Sequence, residues 1–268
     1  MDLNVKIYYI LSGIAAFVCG ACLGSFINAA AMRTVARKKW WGVARSTCDS
    51  CGEVLGARDL VPIISYIALR GKCRFCGTRI YPRHIAAEII SGLLTTALLA
   101  RWGLSAAFCV SLIVVWFSLF NSLTDLDTGY IYDAWALTPC FAGLLMRLAG
   151  GWPAVLDGVL GAALGFGLIA LIIIVSRGGM GWGDAFLMCG IGGAVGWKYC
   201  AFCLYGGFIV GGIVVLPLMI AKKIKRRDRI PLGPFLAAGS VIMLFVGSDL
   251  IFRFKTIFGA YPGWPWGG

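Results

Sequence analysis

Residues 154–184 read AVLDGVLGAALGFGLIALIIIVSRGGMGWGD and combine a long apolar run with an acidic motif. The apolar part, 154–176, has about the 20 residues that an α-helix needs to span a bilayer. The motif Gly181-Trp182-Gly183-Asp184 follows it after a short loop. An ionisable side chain is costly in a membrane and usually marks a functional site there. The stretch therefore predicts a membrane helix followed by a functional aspartate.

The rest of the chain has the composition of a polytopic membrane protein. Its 268 residues are 60% hydrophobic and 13% charged, whereas a soluble domain is about half apolar and about a quarter charged. Apolar segments lie at 8–32, 85–100, 104–124, 131–150, 154–176, 185–197, 199–221 and 232–252. The sequence predicts an all-α polytopic membrane protein with about eight transmembrane helices.

Positive charge is distributed unevenly over the loops between these segments. If the N-terminus is outside, most of the 24 Lys and Arg residues lie in inside loops, chiefly in 33–84 and 222–231. Cytoplasmic loops are enriched in such residues, so we expect both termini outside a bacterial cytoplasmic (inner) membrane. We attribute the net charge of +12 to loops that face anionic lipid head groups, because regularly spaced aromatic platforms for nucleic acid are missing.

Residues 33–84 are the only sizeable soluble insertion. It contains Cys48-Asp49-Ser50-Cys51 and Cys73-Arg74-Phe75-Cys76, each followed by a glycine. Four thiolates suit tetrahedral zinc, and a closed four-cysteine site is structural. Two disulfides are the alternative, which a reducing cytoplasm disfavours. We predict a cytoplasmic zinc-binding insertion in which the ligands are Cys48, Cys51, Cys73 and Cys76.

The other cysteines lie in apolar segments. Two pairs among them match the same C-x2-C spacing, but cysteine in an apolar helix behaves as a small hydrophobic residue. We therefore expect core packing for Cys19, Cys22, Cys109, Cys140, Cys189, Cys200 and Cys203. The only histidine, His84, is expected at an interface rather than as a fifth metal ligand.

Four aspartates fall on one side of the predicted membrane. Asp125, Asp127 and Asp133 cluster where the third segment ends and the fourth begins, and Asp184 stands at the start of the sixth. Two close carboxylates cannot easily both ionise, so one stays protonated while the other can deprotonate water. That pairing suits peptide hydrolysis. In the alternative interpretation Asp184 is a helix N-cap, for which Asp is favoured, and Asp127 or Asp133 is an interface residue.

The order and spacing of these motifs resemble the type IV prepilin leader peptidases, membrane aspartic proteases that share Gly-x-Gly-Asp with the presenilin-like enzymes. The series comprises Gly24-Ser25-Phe26-Ile27-Asn28, both cysteine pairs, Asp59-Leu60-Val61-Pro62, Leu69-Arg70-Gly71-Lys72-Cys73, Glu88, the stretch from Asp125 to Asp133, Gly181-Trp182-Gly183-Asp184 and Pro231-Leu232-Gly233-Pro234-Phe235-Leu236. Each motif alone is weak, whereas the series is specific.

The resemblance implies a bifunctional enzyme of type IV pilus or protein secretion systems. Such enzymes cleave the leader of prepilins and pseudopilins at the cytoplasmic membrane face, and many then methylate the new N-terminus with S-adenosylmethionine. Asp125 and Asp184 would be the catalytic pair, because the family's first aspartate stands seven residues before a Pro-Asp pair, here Tyr132-Asp133. The residues Gly181, Gly183, Asp127 and Asp133 would support that motif.

Three further residues match positions that the family ties to methylation: Glu88, Gly24 and Asn28. An interfacial helix cap is the alternative for Glu88. We expect residues 1–102 to hold the first span, the insertion (about 33–84), the second span and the methyltransferase part, and residues 103–268 to form the peptidase domain.

Two other functions stay open. A proton- or cation-coupled transporter would also place aspartates inside a membrane, and a zinc-scaffolded assembly factor would use only the insertion. The expected partners are prepilin or pseudopilin substrates and the lipid bilayer, without nucleic acid, and the sequence does not indicate an oligomeric state.

Overall fold

Helices make up nearly all the regular structure of the described residues. The computed structural model describes residues 3–39, 45–177, 179–223, 230–253 and 265. The α-helices within these residues are α1 Leu3–Val35, α2 Ile64–Ala68, α3 Pro82–Trp102, α4 Ala106–Thr128, α5 Asp133–Arg147, α6 Gly151–Val175, α7 Trp182–Val195, α8 Trp197–Ile220 and α9 Gly233–Arg253. Ala57–Asp59 and Leu148–Gly150 form short 3-10 turns.

The apolar helices coincide with the predicted apolar segments. Within the described ranges, the stretches long and apolar enough to cross a membrane number six: Val5–Val35, Pro82–Trp102, Ala106–Thr128, Asp133–Val175, Trp197–Ile220 and Gly233–Arg253. The fourth of these contains both α5 and α6, and α7 is a shorter apolar helix of 14 residues. The predicted all-α polytopic fold is confirmed, with six long stretches and one short apolar helix where about eight crossing helices were expected.

The chain divides into two compact units, Met1–Gly103 and Leu104–Gly268. In the first unit, α1 and α3 pack closely along a seam of small residues. A Cβ atom added at Gly24 would lie 2.6 Å from the carbonyl oxygen of Ala87, and one added at Gly20 would lie 2.8 Å from that of Ser91. Small residues allow membrane helices to approach at backbone distance. Gly24 therefore sets the separation of α1 and α3.

In the second unit, α7 is the central helix. It packs against α5, α6 and α8 and also contacts α4 and α9. Gly161 and Gly165 of α6 lie directly against the backbone of Gly192 and Met188 of α7, and a Cβ at either glycine would overlap that backbone. Helices on several sides thus hold α7, and with it the start of the helix where Asp184 lies.

A buried arginine closes the other end of α7. Arg147 is fully buried, and its Nε and Nη2 donate hydrogen bonds of 3.2 and 3.1 Å to the carbonyl oxygen of Ala194. Its Nη1 donates to Asp157 Oδ2 at 2.8 Å. The guanidinium satisfies a carbonyl that the helix end leaves without an intrahelical partner. Arg147 is therefore part of the core of this unit, although it stands near the end of a predicted apolar segment, where charged residues usually belong to loops.

The prediction of core packing for the other cysteines holds for only some of them. Cys140, Cys200 and Cys203 are buried and Cys189 is partly buried. The prediction is wrong for three residues that are exposed on their helices: Cys19, Cys22 and Cys109. Lipid tails are as apolar as a helix interface, so hydrophobicity alone cannot tell a lipid-facing cysteine from a packed one.

Candidate active site and metal centre

Asp125 lies in the last turn of α4 and is held by a main-chain donor from α9. The N–H of Gly233 donates a hydrogen bond of 3.0 Å to Oδ2 of Asp125. Asp125 is only 6% exposed. The helix ends just after Asp125, because Gly129 adopts a left-handed conformation with φ 65° and donates its N–H to the Asp125 carbonyl oxygen. The carboxyl group therefore sits at the point where the chain leaves α4.

Asp184 is buried in the first turn of α7. The N-cap of that helix is Gly181, and Asp184 is its third residue, so the alternative interpretation of Asp184 as the N-cap is wrong. The main-chain N–H of Gly181 hydrogen-bonds to the Asp184 carboxyl group. The residue is 6% exposed, like Asp125. Both carboxyl groups are thus enclosed and each is oriented by a glycine amide.

Two glycines bring the starts of α7 and α9 against the loop that follows α4. A Cβ at Gly183 would lie 2.7 Å from Cβ of Ile131, and a Cβ at Gly233 would lie 3.1 Å from Cδ1 of the same residue and 2.8 Å from Asp125 Oδ2. Asp184 also interacts electrostatically with Asp125. The packing around Ile131 therefore brings together the two aspartates, which are 59 residues apart in sequence.

The other two aspartates of the cluster differ in burial. Asp127 and Asp133 are both exposed. Asp133 is the first residue of α5, after the N-cap Tyr132, where a carboxylate interacts favourably with the helix dipole. The buried pair is therefore Asp125 and Asp184. A buried pair of carboxyl groups can share a proton, which is the requirement for acid–base hydrolysis without a metal.

Gly233 is the site residue whose role sequence reasoning missed. The sequence places Gly233 in the family's motif series but indicates no contact with a catalytic residue. The available signal was a glycine followed by proline at the start of an apolar helix, directly after a basic loop. Such a glycine permits a close approach to its backbone amide, but the sequence does not say what approaches.

The four predicted metal ligands come together in the insertion. The Sγ atoms of Cys48, Cys51, Cys73 and Cys76 all lie within 4.8 Å of one another, and those of Cys48 and Cys76 are 3.9 Å apart. Metal–sulfur bonds of about 2.3 Å in a tetrahedron place sulfur atoms about 3.8 Å apart. The donor set and its spacing therefore fit a tetrahedral metal ion.

Both cysteine pairs are built as the same turn. Gly52 N–H donates to the Cys48 carbonyl oxygen at 2.9 Å, and Gly77 N–H donates to that of Cys73 at 3.0 Å. Both glycines have a positive φ, 73° and 71°, a conformation that glycine adopts without strain. The glycine after each cysteine pair is therefore required by the turn that aims the thiols at a common point.

One thiol in each turn is biased towards the thiolate. The hydroxyl of Thr78 lies 3.3 Å from Cys76 Sγ, and this hydrogen bond, with that of the Thr78 main chain, lowers the pKa of Cys76 to about 6. Backbone hydrogen bonds from Cys51 and Ser50 lower the pKa of Cys48. Because the thiolate is the form that binds metal, these contacts favour metal binding.

A cavity in the first unit lies between the insertion and α3. Its lining includes Asp49, Asp59, Tyr66, His84 and Glu88. Of the three methylation candidates, Glu88 is in this lining. Asn28 is next to the cavity, because its Nδ2 lies 3.0 Å from Nδ1 of His84, a lining residue. Its Oδ1 accepts a hydrogen bond of 2.9 Å from Arg83 Nε.

Glu88 also fixes a strained turn of the insertion. Its Oε2 accepts a hydrogen bond of 2.7 Å from the N–H of Ile63. Ile63 has φ 63°, which is unusual for a β-branched residue and is tolerated only where surrounding contacts enforce it. Glu88, at 8% exposure, is therefore a buried anchor as well as a wall of the cavity.

Known proteins match nearly the whole chain. The sequence is 32% identical over 262 residues to the "Prepilin leader peptidase/N-methyltransferase" of Burkholderia pseudomallei (strain K96243), covering 87% of this chain and 85% of the relative. This chain belongs to the type IV leader peptidase family. The family descriptions "Bacterial Peptidase A24 N-terminal domain" and "Type IV leader peptidase family" match residues 18–102 and 112–216.

Other members of the type IV leader peptidase family carry the same name. The protein from Bacillus subtilis (strain 168) is 30% identical over 88% of this chain and 94% of its own length. That of Aeromonas hydrophila is 30% identical over 81% of this chain and 76% of its own. No solved structure gives a significant match. The family predicted from the motif series is confirmed.

Proposed function

We propose that this membrane protein cleaves the leader of type IV prepilins or pseudopilins with Asp125 and Asp184 as the catalytic pair. The observation that carries the proposal is the enclosure of these two carboxyl groups beside Ile131, each with a glycine amide as hydrogen-bond donor. The names of the relatives supply the substrate class.

The chemistry follows from two carboxyl groups of which one is ionised. The ionised aspartate removes a proton from a water molecule, whose oxygen attacks the carbonyl carbon of the scissile peptide bond. The protonated aspartate donates a hydrogen bond to the carbonyl oxygen, and a proton passes to the leaving amine as the C–N bond breaks. The exposed Asp127 and Asp133 support the loop and helix start around the pair, and Gly181 and Gly183 keep the approach to it free of side chains.

We further propose that residues 1–102 methylate the new N-terminus and that residues 103–268 perform the cleavage. S-Adenosylmethionine, when bound, supplies an electrophilic methyl group. Glu88 in the cavity wall would hold the amine of the substrate by its charge. Asn28 would position His84, and Gly24 would set the spacing of α1 and α3 that places Asn28 near Glu88.

Zinc is the metal that this four-cysteine cluster suits best. Four thiolates with tetrahedral spacing match its preferred structural site. The ion would cross-link the two turns of the insertion and so support the cavity wall formed by Cys48 and Cys73. Its role is structural, because four protein ligands leave no open position for a substrate.

The distribution of charge supports an orientation with both termini outside and the aspartates facing the cytoplasm. The insertion and the loop 222–231 are rich in Lys and Arg, as cytoplasmic loops are. The substrate's apolar helix would then lie in the bilayer of the inner membrane, and its leader would reach the catalytic pair from the cytoplasm.

The experiment that tests this function combines both activities. Purified protein in lipid nanodiscs is incubated with a prepilin and labelled S-adenosylmethionine, and the products are identified by mass spectrometry. We expect one cleavage after the leader and one methyl group on the new N-terminus. Asp125→Asn and Asp184→Asn should each reduce cleavage about 10³-fold or more, because general acid–base catalysis is lost.

Asp127→Asn is the matched control, because Asp127 is an exposed aspartate two residues from Asp125. Because Asp127 is proposed to support the loop and not to react, Asp127→Asn should lower the cleavage rate about tenfold at most, far less than the loss expected for either member of the pair. Cleavage retained in both Asp125→Asn and Asp184→Asn would refute the assignment of the pair. Ion flux into proteoliposomes that requires the same aspartates, without cleavage, would favour the transporter.

A further inference from the structure

The insertion exposes a stripe of large apolar side chains. Leu60, Val61, Ile64 and Ile67 are 44, 40, 67 and 65% exposed. Ile64 and Ile67, three residues apart, share one face of α2, and Leu60 and Val61 are exposed on the turn before it. We name these four residues the outer stripe. Contiguous apolar surface of this kind marks a site of interaction.

The most exposed apolar residues of the segment lie away from the cavity. Asp59, Ser65 and Tyr66 line the cavity that also contains Glu88, together with Leu60 and Leu69. Val61, Ile64 and Ile67 are not in that lining and are 40, 67 and 65% exposed. These three side chains therefore have no protein cover on their outer side in the described residues, which suits contact with an apolar medium.

The outer stripe is also fixed beside helices that can span a membrane. The 2.7 Å hydrogen bond from Ile63 N–H to Glu88 attaches it to α3 six residues after the helix start at Pro82, which is about 9 Å along the axis. Leu60 and Pro62 share a second cavity with Cys22 and Phe26 of α1. An attachment within the first two turns of a helix that can cross a membrane lies near the head-group end of that helix.

Basic residues flank the outer stripe. Arg58 precedes it, Arg70 and Lys72 follow it, and all three are exposed. Lys and Arg beside an apolar surface bind anionic lipid head groups, each contributing about 1 kcal/mol near a charged membrane. The apolar side chains thus match the acyl-chain layer of one lipid leaflet, and the basic side chains match its head-group layer.

We propose that residues 58–72 are an interfacial membrane anchor, in which the outer stripe enters the acyl boundary and Arg58, Arg70 and Lys72 bind the phosphates of anionic lipids. The anchor holds one wall of the cavity at the membrane surface. It goes beyond the proposed catalytic function, because lipid contact is independent of cleavage and methylation.

Photo-crosslinking of the full chain tests the anchor. A benzophenone amino acid replaces Ile64 or Ile67 in protein reconstituted into nanodiscs that contain phosphatidylglycerol, and mass spectrometry identifies the adducts. The control is the same replacement at Phe75, which is 54% exposed on the second cysteine turn. We expect at least about five times more lipid adduct at Ile64 and Ile67 than at Phe75.

Lipid yields at Ile64 and Ile67 no higher than at Phe75 would overturn the proposal. So would adducts to residues 104–268 of the same chain or to a second copy, because the outer stripe would then be covered by protein. A metal content equal to that of the unmodified protein shows that each variant retains the folded insertion.

The binding of anionic head groups is tested separately with a triple variant that combines Arg58→Gln, Arg70→Gln and Lys72→Gln. We expect the lipid yield at Ile64 to fall about two- to threefold in anionic nanodiscs and to stay unchanged in phosphatidylcholine alone. An unchanged yield in anionic nanodiscs would overturn the binding of anionic head groups.

Discussion

The main-chain N–H of Gly233 donates a 3.0 Å hydrogen bond to Oδ2 of Asp125, a residue 108 positions earlier in the chain. The amide belongs to the first residue of α9 and the carboxyl group to the last turn of α4. One hydrogen bond therefore connects two helix ends and orients one of the two proposed catalytic groups. The site depends on backbone positions as much as on the aspartates.

Gly233→Ala should impair cleavage strongly. The added Cβ would lie 2.8 Å from Asp125 Oδ2 and 3.1 Å from Ile131 Cδ1, so the carboxyl group or the start of α9 must move. A displacement of about 1 Å can cost about 100-fold in rate. We expect a 10- to 100-fold lower kcat/KM (about 1.4–2.7 kcal/mol), measured with a prepilin peptide. Gly212→Ala is the control, because nothing lies within 4 Å of its added Cβ, and an equal loss there would contradict this explanation.

Gly183→Ala should separate the two proposed activities. Its Cβ would lie 2.7 Å from Cβ of Ile131, and a branch-point atom cannot rotate away as a side-chain end can. We expect cleavage to fall at least about 10-fold while methylation of a peptide supplied without its leader stays unchanged. Gly167→Ala, with open space around its Cβ, should keep both activities. Parallel loss of methylation would argue against the assignment of methylation to residues 1–102.

The pairing of Asp125 with Asp184 is implied by the resemblance to the family's motif series, whereas the environment of the two carboxyl groups is not. The sequence contained the apolar segments, the cysteine pairs and the two acidic motifs, all of which have local signatures. Gly233 is an example of a site residue whose contact has no local signature in the sequence. Its contact with Asp125 arises from how α9 packs against α4, and neither hydrophobicity nor spacing encodes such a contact between distant segments.

Cys76→Ser should release the metal. With three thiolates left, the tetrahedral site lacks one ligand, and metal affinity falls because folding of the site and binding are coupled. We expect about one zinc per chain in the unmodified protein and a large loss in the variant, measured by elemental mass spectrometry. Cys109→Ser, at an exposed cysteine of α4, should retain the metal. Full metal content in Cys76→Ser would exclude Cys76 as a ligand.

Glu88→Ala should abolish methylation and leave cleavage largely intact. It removes the charge from the cavity and the acceptor that holds Ile63 N–H at 2.7 Å. Glu88→Gln keeps an acceptor for that amide but loses the charge. If the charge holds the substrate amine, both variants lose methylation; if Glu88 only anchors the turn, Glu88→Gln restores most of it. Methyl incorporation into a leaderless peptide distinguishes the two results.

Arg147→Met should destabilise the peptidase unit. It leaves Asp157 without its 2.8 Å partner and the carbonyl oxygen of Ala194 without two donors. Breaking a buried ion pair on one side costs about 3–5 kcal/mol, measurable as a lower unfolding temperature in detergent. The double variant Arg147→Met/Asp157→Asn should recover part of the loss, because no unpaired charge remains. A double variant less stable than Arg147→Met would contradict the role of the charge.

Arg147 and the exposed cysteines mark the limit of reasoning from hydropathy. A charged residue near a segment end is indistinguishable, in sequence, from a loop residue. The burial of Arg147 is made favourable by tertiary contacts with the carbonyl oxygens of Ala194 and Ala154 and the carboxyl group of Asp157. Cys19 and Cys22 are exposed on α1, and their hydrophobicity is equally compatible with contact to lipid and with contact to protein. These assignments depend on tertiary contacts.

The shortness of α7 affects how the enzyme responds to its membrane. A helix of 14 residues is about 21 Å long, less than the roughly 30 Å of the hydrocarbon layer. Its start packs against Ile131 and its end against the Arg147 guanidinium, so both ends are in contact with protein. Hydrophobic mismatch acts on helices that meet lipid along their length. The proposed catalytic helix is thus insulated from changes in acyl-chain length, and cleavage should proceed at similar rates in thin and thick bilayers.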